Sequence, residues 1–136
     1  MLLVDTNIFL AAADRRSDRH QVCAAILRDH QGELATTVPV VAEASWLILD
    51  RLGPRPQAQL LAMITSGRLE PLDLTDADWA RCAELVATYS DLRLDLMDAS
   101  LVAIGERHQV STIATLNRRD FTVVRPRHAD SFTLLP

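Results

Sequence analysis

The sequence predicts an α/β fold built on a parallel sheet, and three observations carry that expectation. Short apolar runs recur at residues 1–5, 34–37, 69–74, 112–115 and 132–135. The stretches between most of them have helical patterning, and strands alternating with helices imply a sheet covered on both faces. The first run, Met1-Leu2-Leu3-Val4, is closed by Asp5 and followed by the turn formers Thr6 and Asn7. It reads as a buried strand that delivers one carboxylate to its C-terminal tip, the edge where open α/β sheets bind ligands. The expected architecture is a three-layer sandwich, a parallel sheet of about five strands flanked by helices.

Each element has a local reason. After the first strand a short helix runs through Phe9 to Ala13. Ser17 or Asp18 can cap a helix that carries Val22, Ala25, Ile26 and Leu27 to about His30, where Gly32 stops it. Pro39 suits the start of the next helix, which reaches about Arg51 before Gly53-Pro54 breaks it. Pro56 to Ser66 forms a further helix ended by Gly67. Thr75 caps a helix containing Trp79, Cys82, Leu85 and Val86, and Asp95 opens one that ends near His108. Phe132 to Leu135 makes a last edge strand.

Composition narrows the function classes. A chain of 136 residues, 49 % hydrophobic, reads as one domain over 1–136 with a real core. No apolar run approaches ~18 residues, and no basic-then-apolar leader stands at the N-terminus, so a membrane span and a signal peptide are not expected. Cys23 and Cys82 lie far apart without CxxC spacing, which fits small core residues in a reducing cytoplasm better than a disulfide or a zinc site. The net charge of −4 argues against passive nucleic-acid binding. It does not argue against an enzyme whose acids hold a cation, because the cation supplies the positive charge phosphates seek. All 14 basic residues are arginine, which removes P-loop, Schiff-base and phosphorelay lysine chemistry.

The acids carry the chemistry. Asp5 has an ordinary alternative as a helix cap or Asx turn. Glu43 is harder to dismiss, because its helical neighbours are Pro39, Val40, Trp46 and Leu47. The helix from Val40 to Leu49 is apolar nearly all round and reads as an interior helix, where an unpaired carboxylate needs a cation or a charged partner. The alternative is a first-turn Glu facing solvent. Asp98 is the single charged residue between Leu96 and Gly105, whereas Asp95 has the position of an N-cap. Asp5 at a strand end and Glu43 and Asp98 near helix starts converge on one sheet edge. Hard oxygen donors without His or Cys select Mg²⁺ or Mn²⁺ over zinc. None of His20, His30, His108 and His128 has an acid-rich setting.

These residues fall into motifs. LLVDTNIFLA, the VVAE around Glu43, LMDASLVAIGER around Asp98, IATLNRRDF and the final FTLLP together resemble the PIN-domain ribonucleases, specifically the VapC-type toxins of bacterial VapBC toxin–antitoxin pairs. The resemblance spans essentially the whole chain. It implies a metal-dependent endoribonuclease in which Asp5, Glu43 and Asp98 are catalytic, bind Mg²⁺ or Mn²⁺ and organise the attacking water, leaving 5′-phosphate and 3′-hydroxyl ends. It also implies a VapB-type antitoxin partner and an RNA substrate, and a homodimer is expected. The first two helices, with Val40–Leu49 and Pro56–Ile64, offer apolar surface for an antitoxin helix.

The sequence departs from the family where a fourth acid usually follows Thr115 by two residues: here Asn117 stands. Its carbonyl oxygen is one candidate metal donor, and Asp120, further along a turn, is another. Arg118, Arg119, Arg125 and Arg127 read either as an RNA-contacting rim, with Arg118 and Arg119 the best placed, or as an ordinary solvated stretch. The competing functional reading is a catalytically weak PIN domain that binds RNA or protein. A Mg²⁺-dependent phosphatase is disfavoured because position 7 is Asn7 rather than a second Asp.

Overall fold

Apolar runs too short to be helices pair into one five-stranded sheet, all parallel, in the order β3-β2-β1-β4-β5. The computed structural model describes residues 1–136. Strand β1 (Leu2–Val4) lies at the centre, between β2 (Leu34–Thr37) and β4 (Thr112–Ala114). Strands β3 (Glu70–Leu72) and β5 (Thr133–Leu135) form the edges. Because β2 and β3 step one way from β1 while β4 and β5 step the other, right-handed crossovers put their connections on opposite faces. Helices α1 (Thr6–Ala13), α2 (His20–Asp29), α3 (Val38–Leu52) and α4 (Pro54–Thr65) pack on one another in one layer. Helices α5 (Asp76–Thr88) and α6 (Leu96–His108) pair in the other. The expected three-layer parallel sandwich is what the chain forms.

Eight consecutive residues of α6, Asp98 to Gly105, are buried, so this helix is the floor of its layer. Gly105 is required there: a Cβ would stand 2.9 Å from the Val110 carbonyl oxygen. Asp95 accepts a hydrogen bond from the Asp98 amide, the cap expected of it. Thr75 and Asp78 close a reciprocal capping box on α5. Cys23 and Cys82 are buried free thiols. No helix is long and apolar enough to cross a membrane.

Three expectations need correction. Helix α2 starts at His20 without a side-chain cap, because the Ser17 hydroxyl accepts from the Arg19 amide in a turn instead. Helix α3 is not an interior helix: Val40, Ala44 and Ile48 face the core, but Trp46 is 63 %, Leu49 42 % and Val38 41 % exposed. Finally, residues 118–123 are not a turn but a helix, α7 (Arg118–Val123).

Candidate active site

Asp5 follows β1 directly, where the strand order changes direction between β1 and β4, and a sheet opens a crevice at such a point. The residue caps α1, its Oδ1 accepting from the Thr6 amide at 2.7 Å. Its Oδ2 accepts from the Thr115 hydroxyl, also at 2.7 Å, which ties the tips of β1 and β4 together. Thr115 thus belongs to the site rather than merely ending its strand. Asn7 adds a second tie, its side-chain oxygen accepting from the Leu116 amide at 2.9 Å. Sequence reasoning assigns Asn7 only local turn work; a bond across 109 residues has no local signature.

A cleft of about 180 Å³ opens at this edge, and Asp5, Glu43, Asp95, Asp98 and Asn117 line it together with Thr6 and Asn7. The three expected carboxylates therefore share one pocket. Glu43 reaches it from the second turn of α3, half-buried and without a cationic partner. Asp95, expected as a cap alone, is also part of the wall. Helices α1 and α6 begin at the cleft, and their N-terminal amides favour negative charge there.

Burial shapes the electrostatics. It raises Asp5 from 3.8 to about 6, against the lowering effect of the Thr115 and Thr6 hydrogen bonds. Burial, then the charges of Asp5, Asp95 and Asp120, raise Asp98 to about 8, partly opposed by Asn117. Carboxyls held this far above their ordinary range lack a countercharge, and a cation would supply it. The side chains do not by themselves close a cage of three or more ligands. The cleft lining offers carboxylate oxygens and no His or Cys, the donor chemistry of Mg²⁺ or Mn²⁺ rather than of zinc. The donor set fits a hard divalent cation.

Asn117 and Asp120 are both placed at this edge, but differently from expectation. The Asn117 amide nitrogen donates to Asp98 Oδ2 at 3.2 Å and to Asp120 Oδ2 at 3.0 Å. Asp120 is not carried away by a turn; the first turn of α7 buries it behind Asn117, where Arg119 pairs with it at 3.1 Å. Arg118 is exposed and donates to the Pro136 carbonyl. Arg127 is drawn away from the expected rim: it pairs with Glu84, in a network with Arg81 and Glu106 at the opposite end of α6. Arg125 turns back on Thr122.

An all-parallel sheet whose central strand presents a buried Asp to an acid-lined cleft at its switch point defines an α/β protein with a site of hard oxygen donors. The family follows from comparison with known proteins: the PIN domain model matches residues 2–125, and the chain belongs to that family. It is 29 % identical over 135 residues to Ribonuclease VapC26 of Mycobacterium tuberculosis (strain ATCC 25618 / H37Rv), covering 99 % of this chain and 100 % of that protein. Among solved structures it is similar to Mycobacterium tuberculosis VapC20, a sarcin-ricin loop cleaving toxin. That match has a TM-score of 0.74 and 18 % identity over 83 % of this chain and 87 % of the other. A toxin–antitoxin complex from Klebsiella pneumoniae matches with a TM-score of 0.69 and 19 % identity, over 91 % and 92 % of the two chains.

Proposed function

We propose that this PIN domain is a metal-dependent endoribonuclease and the toxin of a type II toxin–antitoxin pair. The observation that carries the chemistry is the cleft itself: two buried aspartates and a half-buried glutamate gathered where helices begin, with no protein cation among its walls. When bound there, Mg²⁺ or Mn²⁺ would lower the pKa of a coordinated water and offset charge on the phosphate. Asp5, Glu43 and Asp98 are the residues that would hold it. Thr115 and the Thr6 amide fix both oxygens of Asp5 before any ligand arrives, so the carboxylate is already oriented. The amides at the start of α6 add a fixed positive potential for the scissile phosphate. Water would add to phosphorus as the P–O3′ bond breaks, the proton it gives up passing to solvent and a solvent proton completing the 3′ hydroxyl. Arg118 and Arg119, exposed on α7 beside the cleft, are proposed to meet the RNA backbone.

The likeness to a toxin–antitoxin complex directs attention to the other end of α1. A groove of about 380 Å³ runs between α1, α2, α3 and α4, lined by Phe9, Ala13, Leu27, Leu60 and Met63 among others. These are the four helices whose apolar surface the sequence singles out, and an amphipathic antitoxin helix fits such a groove. The exposed stripe of Val38, Trp46 and Leu49 on α3 is proposed to be covered by a second copy of the chain. Activity is tested with purified protein and RNA in the presence and absence of divalent cation, alongside Asp98→Asn. Cation-dependent cleavage lost in the variant supports the reading; cation-independent cleavage contradicts it, and RNA binding with no cleavage favours the weak binding module.

A further inference from the structure

The side chain of Asn117 is turned the wrong way for a metal ligand. Its amide nitrogen stands within 3.2 Å of Asp98 Oδ2 and 3.0 Å of Asp120 Oδ2, so the two amide hydrogens serve two different carboxylates. Flipping the amide would set its oxygen against two acceptors and lose both bonds. The backbone holds the residue in register as well: the Asn117 amide donates to the Thr115 hydroxyl at 2.9 Å, and that hydroxyl in turn donates to Asp5. Asp120 is supplied from its other side by Arg119, whose Nε lies 3.1 Å from Oδ1. Both oxygens of this buried acid are therefore met by protein donors, and it does not line the cleft, whereas Asn117 does.

We propose that the Asn117 amide occupies the place between Asp98 and Asp120 that a second cation would need, so that the cleft takes one divalent cation. This rests on the metal reading above. A second cation there would require oxygen donors from both sides, and it meets instead an N–H group with Arg119 behind it. Asn117 is thus a positioning residue. It holds one oxygen of Asp98 while Oδ1, which takes no hydrogen bond from the protein, stays available to the cleft. Asp120 anchors Asn117 and ligates nothing.

The test counts bound Mn²⁺ on purified, cation-stripped protein by electron paramagnetic resonance and calorimetric titration. The wild type is expected to bind one Mn²⁺ per chain, with the signal of an isolated ion. Asn117→Asp is expected to bind two, with the spin-coupled signal of a close pair. Because a third adjacent acid can weaken the fold, Asp120→Asn gives a second arm: its Mn²⁺ affinity is expected to stay within about twofold of wild type. Two Mn²⁺ in the wild type, a tenfold loss of affinity in Asp120→Asn, or a folded Asn117→Asp that still binds one, would each overturn the proposal and leave the metal reading intact. No Mn²⁺ on any of the three proteins would overturn both.

Discussion

Asp98 shows what a single buried charge does to a protein. It and Asp5 bind protons more tightly in the fold than in the unfolded chain, since each is raised from 3.8, to about 8 and about 6 respectively. The sign follows: the folded state holds more protons between those values, so their contribution to stability is full below about pH 4 and is lost as pH rises through about 6 and about 8. The melting temperature of cation-free protein is expected to fall across this range. Asp98→Asn should flatten the upper part of the curve, and millimolar Mn²⁺ should restore the wild type at pH 8 by mass action. A flat profile for cation-free wild type would contradict the electrostatic account. Thr115→Val removes the donor to Asp5 and is expected to cost about 1.5–3 kcal/mol at pH 8, read by urea unfolding. At this scale the sequence is informative where burial conflicts with charge, as at Asp5 and Asp98. It is silent on the long-range bond of Asn7 and on the direction of the Asn117 amide, because both are set by partners that only the folded chain brings near.

Helix α6 illustrates how far an element can be read from its residues. Its cap, its apolar run and its end near His108 are all legible, since a capping Asp before a long apolar stretch is a strong helix-start signal. Helix α7 is not legible. Its six residues, Arg118–Val123, include three charged ones and are too short to display a period; burial of Asp120 and Phe121 holds it in place. The apolar character of α3 misleads for a different reason. Trp46 and Leu49 suggest an interior helix, whereas they form a face that the single chain leaves uncovered. Within α6, Gly105→Ala forces a methyl against the Val110 carbonyl, backbone that cannot swing aside. The expected loss is about 1–3 kcal/mol, measured by thermal or urea unfolding.

At the scale of the whole molecule, an arginine–carboxylate network lies away from the acidic cleft. Arg81, Arg107 and Arg127 are engaged by Glu106, Asp78 and Glu84 at the far end of α6, and no arginine lines the cleft. With a net charge of −4, RNA affinity is expected to depend on the bound cation more than on a basic surface. The apolar groove is a separate region, walled by α1 to α4, and Met63→Glu places a charge in it. That variant is expected to weaken capture of the cognate antitoxin at least tenfold in a pull-down or calorimetric titration, with RNA cleavage by the free protein retained. The central claim, that the acidic cleft cleaves RNA through a divalent cation, is tested most directly by end analysis of RNA incubated with purified protein. Cleavage leaving 5′-phosphate and 3′-hydroxyl ends, supported by Mg²⁺ or Mn²⁺, stopped by chelator and absent in Asp98→Asn, is the predicted result. Cleavage that survives the chelator, or that Asp98→Asn performs at the wild-type rate, would contradict it.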